Sequence, residues 1–418
     1  MEDFPKNLRN KLARRADRYA FRHLSETDGL IDFSSNDYLG LSGNREIFDR
    51  ASRRLSDGKM VRNGATGSRL LSGNHPLYSE LEKRLAEFHK TDAALVFNSG
   101  YDANIGFFGC VPQRGDVVFY DEHIHASIRD GIRMGNAKSY KFGHNDLENL
   151  KIKLRRTGLV DTGHPGPDGG RVVGGSRRFH GEIGGAEKRS VGEAEVYVVT
   201  ESVFSMDGDS PDLKAFTSFC REYGYRFVVD EAHAVGVFGA NGKGLVQYLG
   251  LQDAVFARIV TFGKAMGCHG AAILGSNRLK EYLVNFARSL MYTTGLPPHA
   301  VATILSAYDQ LSSDDTPQAQ LQGNILFFKR KLVELDLKKH FIPSDSAIHC
   351  CIVPGNERVR AVSESIRKNG FDVKAILSPT VPEGRERLRI CIHNFNTGEE
   401  MQTLLELLSK ENSAPTPS

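Results

Sequence analysis

The chain has 418 residues, 40% of them hydrophobic and 25% charged, with a formal net charge of +3. That length allows a large core and more than one domain, and the small net charge excludes a strong polyanion-binding field. No run of about 18 apolar residues occurs, so no membrane span is expected, and Met1-Glu2-Asp3-Phe4-Pro5-Lys6 lacks an apolar signal core.

Residues 6–25 are basic and helical in pattern. Asp32-Phe33-Ser34-Ser35-Asn36-Asp37-Tyr38-Leu39-Gly40 reads as a short strand entering a turn. From about 50 to 285, short apolar strands alternate with helical stretches. The predicted strands are Ala94–Phe97, Val117–Tyr120, Val196–Val199, Phe227–Val229, Ile259–Thr261 and Ala271–Leu274. Continuous apolar runs suit strands covered on both faces, and the alternation predicts an α/β fold with a mainly parallel sheet. Residues 158–190 interrupt this pattern; they are Gly-rich, carry several Arg and show no hydrophobic period. They read as a surface insertion, with a mobile lid or an anionic-substrate contact as alternatives.

After Pro297-Pro298 come two long helical stretches, near 299–311 and 318–335. Ala347–Val353 reads as a strand, Glu357–Lys368 as a helix, Phe371–Leu377 and Arg387–His393 as strands, and Glu399–Lys410 as a helix. This is a smaller C-terminal α+β domain. The expected division is an N-terminal helix and substrate-side segment over 1–50, a large domain over 51–290 and the small domain over 291–418. The Pro-containing tail, 413–418, is expected to be disordered. Cys110, Cys220, Cys268, Cys350, Cys351 and Cys391 show no Cys-x-x-Cys spacing. They read as reduced thiols of a cytoplasmic protein, and no metal site is expected.

Two strand ends carry the chemistry. Val228-Val229-Asp230-Glu231-Ala232-His233 delivers an acid and a histidine; about thirty residues later Thr261-Phe262-Gly263-Lys264-Ala265-Met266-Gly267 delivers an amine. Ligands of open α/β sheets collect at the carboxyl ends of strands, where Lys264, Asp230 and Ser99-Gly100 all fall. Pyridoxal 5'-phosphate (PLP) needs that pairing. Its aldehyde forms a Schiff base with a lysine, and its ring nitrogen needs a carboxylate to stay protonated.

The same chain carries, in order, Ser35-Asn36-Asp37-Tyr38-Leu39-Gly40-Leu41, Gly64-Ala65-Thr66-Gly67-Ser68-Arg69, Ser72-Gly73-Asn74-His75, Asn98-Ser99-Gly100-Tyr101, His125-Ala126-Ser127, Glu201–Asp209, the Asp230–His233 run, the lysine loop and Pro379-Thr380-Val381-Pro382. On these motifs it resembles the α-oxoamine synthase family of PLP-dependent transferases of fold type I over roughly 30–410. The resemblance implies a large mainly parallel-sheet domain and a smaller C-terminal α+β domain. It implies decarboxylating condensation of an amino acid with an acyl-CoA or carrier-protein thioester, in a homodimer that shares its active site. Within the family it leans to the branch that joins L-alanine to a pimeloyl thioester in biotin synthesis. The ketobutyrate-ligase, aminolevulinate-synthase and serine-palmitoyltransferase branches remain alternatives.

Residue by residue, the resemblance implies that Lys264 holds the cofactor and removes the α-proton, and that Asp230 pairs with the ring nitrogen. A free lysine has a pKa of ~10.4, so a lysine base needs burial and cationic neighbours. His125 resembles the histidine stacked on the ring face. His233 and Ser205 resemble the groups that hold the ring's phenolic oxygen. Ser99, Gly100 and Tyr101 open a helical stretch whose N–H groups can cradle the phosphate, with Thr261 adding a hydroxyl. Thr293 and Thr294 resemble a phosphate contact made from the partner subunit. Arg389 resembles the fork that grips the amino-acid carboxylate, helped by Asn36. Arg22 and Thr380 resemble substrate-entrance positions. Three features depart from the pattern: Leu377 where an arginine is expected, His269 just past the lysine loop, and the 158–190 insertion.

A different class shares the four letters Asp230-Glu231-Ala232-His233, namely nucleic-acid helicases. Those need Gly-x-x-x-x-Gly-Lys-[Ser/Thr] to hold nucleotide. Here Gly242-Lys243 is followed by glycine, and the near-neutral charge also argues against nucleic acid.

Overall fold

The computed structural model describes residues 4–22, 24, 29–159 and 194–413. Most of the 158–190 insertion and almost all of the 413–418 tail lie outside the described residues. Twelve strands occur among the described residues: β1 (Ile31–Asp32), β2 (Ala93–Phe97), β3 (Val117–Asp121), β4 (Lys138–Phe142), β5 (Val196–Glu201), β6 (Arg226–Asp230), β7 (Ala257–Thr261), β8 (Ala271–Gly275), β9 (Ile348–Ile352), β10 (Phe371–Asp372), β11 (Lys374–Ile376) and β12 (Arg387–Cys391). The chain divides into two compact units. One comprises Met1–Gly43, Phe204–Asp209 and Ser312–Ser418; the other comprises Asn44–Val203 and Ser210–Leu311.

The larger unit is built on a seven-stranded sheet of order β2-β8-β7-β6-β5-β3-β4. β3–β4, β3–β5, β5–β6 and β6–β7 pair in parallel, while β8 runs antiparallel to both neighbours. Six strands therefore point one way and β8 alone is reversed. Side chains alternate between two cores. Val118, Tyr197, Val199, Val228 and Ile259 enter one; Val117, Phe119, Val196, Val198, Phe227 and Val229 enter the other. Because both faces are covered, the strands read as unbroken apolar runs. The flanking helices begin on side-chain caps, such as Asp146 to Asn149 N, Asp212 to Ala215 N and Ser276 to Leu279 N.

The sheet has one strand more than the sequence reading gave. β4 has the pattern Lys-Ser-Tyr-Lys-Phe and only Phe142 is buried. It is an edge strand, where exposure and lysines guard against further pairing, so it lacks the apolar run by which its neighbours are recognised.

The smaller unit holds an antiparallel sheet of order β11-β12-β9 and a separate parallel pair, β1–β10. Helices Thr316–Glu334, Asn356–Lys368 and Gly398–Ser413 belong to it. The stretch expected as one strand over Phe371–Leu377 is two: Phe371–Asp372 pairs with β1, and Lys374–Ile376 turns to pair with β12. The expected N-terminal helix over 6–25 is shorter, Lys6–Asp17, and Tyr19 has a φ of 53° that no α-helix accommodates. Segment Phe204–Asp209 is fixed into this unit at Gly208. Its carbonyl accepts from the Ser344 and Ser346 hydroxyls, each at 2.8 Å. Its φ is +77°, and a Cβ there would stand 2.1 Å from the Ile348 carbonyl oxygen, so only glycine fits. No helix among the described residues is long and apolar enough to cross a membrane.

Candidate active site

In the larger unit the polar ends of five strands form one rim. Asp121 ends β3, Glu201 ends β5, Asp230 ends β6 and Thr261 ends β7, while Ser99 follows β2. Lys264 lies three residues beyond Thr261 and donates to its hydroxyl at 3.3 Å.

Asp230 is 5% exposed. Its Oδ1 accepts from the Ala232 N–H at 2.9 Å and its Oδ2 from Asn104 Nδ2 at 3.0 Å. A buried carboxylate needs such donors or a cation to remain ionised, and each oxygen keeps lone-pair capacity for a further donor. His233 is buried just past it. The Ala232 carbonyl accepts from the Thr261 hydroxyl at 3.5 Å, which links the loops after β6 and β7.

His125 precedes helix Ala126–Met134 and its side chain is exposed, but its Nδ1 lies 2.7 Å from the buried Ser127 hydroxyl. Desolvation pushes its pKa down; Asp230 opposes this and Lys264 reinforces it. Glu201 accepts the His125 backbone N–H. Burial, then the nearby Asp230 charge, holds the Glu201 carboxyl well above the usual carboxylate range, with Lys264 acting the other way. Asp230 and Lys264 thus each act on both His125 and Glu201.

Ser99 caps helix Gly100–Cys110, accepting from Asp102 N at 3.0 Å and donating to the Asp102 carboxylate at 2.9 Å. The Gly100 and Tyr101 N–H groups make no hydrogen bond to the described protein residues. Two open amides at the start of an eleven-residue helix suit a phosphate. Gly100 is glycine for want of space: a Cβ there would lie 2.7 Å from Thr261 Cγ2. The Tyr101 ring is 48% exposed and its hydroxyl donates to Asp130 at 2.9 Å. Thr293 and Thr294 lie beside the same loop of their own chain: Asn98 Nδ2 donates to Thr293 Oγ1 at 3.3 Å and to the Thr294 carbonyl at 2.6 Å.

The smaller unit gathers the other expected groups. Arg389, 7% exposed on β12, donates through Nε to the Ser205 carbonyl at 2.6 Å, through Nη2 to Asn36 Oδ1 at 2.9 Å and through Nη1 to Cys391 Sγ at 3.0 Å. Three of its five N–H groups are thereby fixed, and the guanidinium also hydrogen-bonds the Tyr38 hydroxyl. Arg22 Nη2 donates to Thr380 Oγ1 at 3.3 Å. Those two residues, expected at the substrate entrance and 358 positions apart in sequence, therefore meet. Leu377 is half-buried and His269 is exposed.

Sequence reasoning missed Asn104, Ser127 and Glu201 as individual groups. Ser127 and Glu201 each sat inside a quoted motif without a role. Asn104, 2% exposed, faces the rim only because its helix packs across the strand ends.

Comparison with known proteins gives a consistent answer. Residues 28–408 match the family model described as aminotransferase class I and II. The chain is 39% identical over 430 residues to 8-amino-7-oxononanoate synthase of Emericella nidulans, covering 98% of this chain and 97% of the other. Its structure is similar to that of 8-amino-7-oxononanoate synthase from Francisella tularensis, at 26% identity and TM-score 0.72 over 92% of this chain and 98% of that one. It also shares the fold of a variant of serine palmitoyltransferase from S. paucimobilis with a bound PLP–myriocin aldimine, at 24% identity and TM-score 0.80 over 97% of both chains. The paired strand-end amine and acid therefore sit in a chain that belongs to the aminotransferase class I and II family, in its α-oxoamine synthase group.

Proposed function

We propose that the protein binds PLP in its larger unit and condenses L-alanine with a pimeloyl thioester, releasing CO₂ and the free thiol of CoA or carrier protein and giving 8-amino-7-oxononanoate for biotin synthesis. The observation that carries the PLP reading is the buried Asp230 carboxylate, with lone pairs to spare, on the same rim as Lys264, His125 and the open amides of Gly100 and Tyr101. The residues fit each part of the cofactor. Gly100, Tyr101, Ser99 and Thr261 suit its phosphate, Asp230 its ring nitrogen, His125 its ring face, and His233 its phenolic oxygen. Lys264 is the amine that holds it.

When bound, PLP supplies an aldehyde for the amine and a protonated ring that draws off charge developing at the amino acid's α-carbon. The rest is work for the chain's own groups. Lys264 takes the α-proton, with Thr261 3.3 Å from its amine as an orienting hydroxyl. Asp230, held by two donors, offers its remaining lone pairs to a protonated ring nitrogen. Arg389, fixed by Ser205, Asn36, Cys391 and Tyr38, is the guanidinium that would take the amino-acid carboxylate. Arg22 and Thr380 flank the path of the acyl thioester, carried by CoA or by a carrier protein.

A homodimer is part of this reading. Val61, Leu71 and Tyr292 are 86%, 85% and 70% exposed on the loops that Gly295 N and the Gly67 carbonyl join, and apolar side chains so displayed suit a subunit interface. Thr293 and Thr294 lie on the second of these loops, in keeping with a phosphate contact across that interface.

The choice of L-alanine and a pimeloyl thioester is supported by the 39% identity to the Emericella enzyme. The test is a panel of alanine, glycine and serine against acyl-CoA thioesters of graded length, followed by CoA release. The reading requires alanine with pimeloyl-CoA to give the highest kcat/KM. Preference for glycine with acetyl-CoA would assign 2-amino-3-ketobutyrate CoA ligase activity instead, glycine with succinyl-CoA 5-aminolevulinate synthase, and serine with palmitoyl-CoA serine palmitoyltransferase.

A further inference from the structure

The proton on the His125 ring can be placed by counting donors and acceptors outward from Asp230. An ionised carboxylate only accepts. Its Oδ2 lies 3.0 Å from the Asn104 side-chain amide. Asn104 must therefore turn its NH₂ toward Asp230, because its carbonyl oxygen there would set acceptor against acceptor. The same Nδ2 lies 3.0 Å from Ser127 Oγ, so its second N–H is spent on that hydroxyl. Ser127 Oγ is then an acceptor toward Asn104 and has one O–H to give. His125 Nδ1, at 2.7 Å, is placed to take it, and the Ser127 backbone N–H also points at Nδ1 from 3.3 Å. Two donors aimed at one ring nitrogen leave no room for a proton on it.

We propose that Asn104 and Ser127 are positioning residues that relay the charge of Asp230 to His125 and hold the ring proton on Nε2. Every link is packed: Ser127 is 0% exposed, Asn104 2% and Asp230 5%. The backbone is held as well, because the His125 N–H is donated to Glu201. Glu201 and Asp230 are register partners on β5 and β6, which sets the His125 backbone beside the strand that bears Asp230. His125 keeps one side in solvent, but the neighbours that partly desolvate its ring favour the neutral form, in which one nitrogen must be donor and the other acceptor. The consequence rests on the functional reading above. A ring-face histidine built this way offers substrate a fixed N–H at Nε2, suited to a carboxylate or thioester carbonyl oxygen, and offers no base at that atom.

The test reads the tautomer directly. Apoprotein labelled with ¹⁵N-histidine is observed by NMR, and the His125 ring is assigned by the signals lost in His125→Gln. The expected wild-type result is an unprotonated Nδ1 and a protonated Nε2, kept in Ser127→Thr. In Ser127→Ala the ratio of the two tautomers should fall by about tenfold, the scale of one lost hydrogen bond. A protonated Nδ1 in the wild type would overturn the assignment without any variant. So would a Ser127→Ala ring indistinguishable from wild type. Because the apoprotein is measured, a protein that fails to bind PLP would sink the functional reading and leave the tautomer result standing.

Discussion

Replacing Gly100 by alanine tests the phosphate site by a single methyl group. The added carbon would stand 2.7 Å from Thr261 Cγ2, about 1 Å inside ordinary carbon–carbon contact. Thr261 cannot simply turn away. It is β-branched and stiff, it closes β7, and its hydroxyl meets both the Ala232 carbonyl and the Lys264 amine. Overpacking of this kind costs about 1–3 kcal/mol. Alanine is the better helix former, by up to about 1 kcal/mol, which offsets part of that cost in the apoprotein, where helix start and strand end are free to part. The strain should fall on the bound state, where helix start and hydroxyl must close together on the phosphate. Since about 1.4 kcal/mol is tenfold in affinity, Gly100→Ala should weaken PLP binding roughly 5- to 100-fold. The assay is absorbance titration of apoprotein with PLP. Adding Thr261→Ser removes Cγ2, keeps the hydroxyl and should recover most of the loss, a non-additivity expected of touching residues. Wild-type affinity in Gly100→Ala, or no recovery in the double variant, would refute the argument.

Lys264→Ala should abolish turnover while PLP still binds noncovalently; product formation near the wild-type rate would remove Lys264 from its role. Arg389→Lys cannot reproduce a planar fork fixed at three points, so the KM for the amino acid should rise by about 10- to 100-fold with a smaller change in kcat. Steady-state kinetics with an unchanged KM would count against the carboxylate assignment. His349 on β9 is buried, its Nε2 has no hydrogen-bond partner among the described residues, and desolvation lowers its pKa from 6.5 to about 3. The folded state then binds fewer protons than the unfolded one. Stability is full above about pH 6.5 and is lost as pH falls toward 3. His349→Leu should flatten that acid slope in urea unfolding; an unaltered slope would show that His349 is not its source. Glu231 is fully buried against Arg258, so Glu231→Ala should cost about 3–5 kcal/mol by stranding the guanidinium. A chemical-denaturation loss below about 1 kcal/mol would contradict this.

The strand-end amine and acid were legible because each closes an apolar run, and a run covered on both faces leaves a clear trace in sequence. Strand direction leaves none. β7 and β8 read alike, yet one is reversed, and only the nine-residue connection between them hints at it. β4 escaped because an edge strand has little to bury. Phe371–Leu377 was one run in sequence and two strands in space, since Asp372 and Lys374 follow different partners. Arg389, Asn36 and Ser205 were named from motifs, but no spacing tells that one guanidinium touches both of the others. Asn104 shows the limit most plainly: an asparagine inside a helix usually signals nothing, and its part appears only when two elements cross.

The reversal of β8 has a mechanical result for the lysine. In a parallel sheet, β7 would lead into a crossover helix, and a residue on that connection could ride with a moving element. Here it leads into a tight return. Phe262 N reaches the Gly270 carbonyl, Cys268 N the Phe262 carbonyl, and Gly267 N the Lys264 carbonyl. The amine stands on a bracket bolted at both ends to the sheet. Whatever travel it needs as one substrate replaces another must come from the four methylenes of its own side chain.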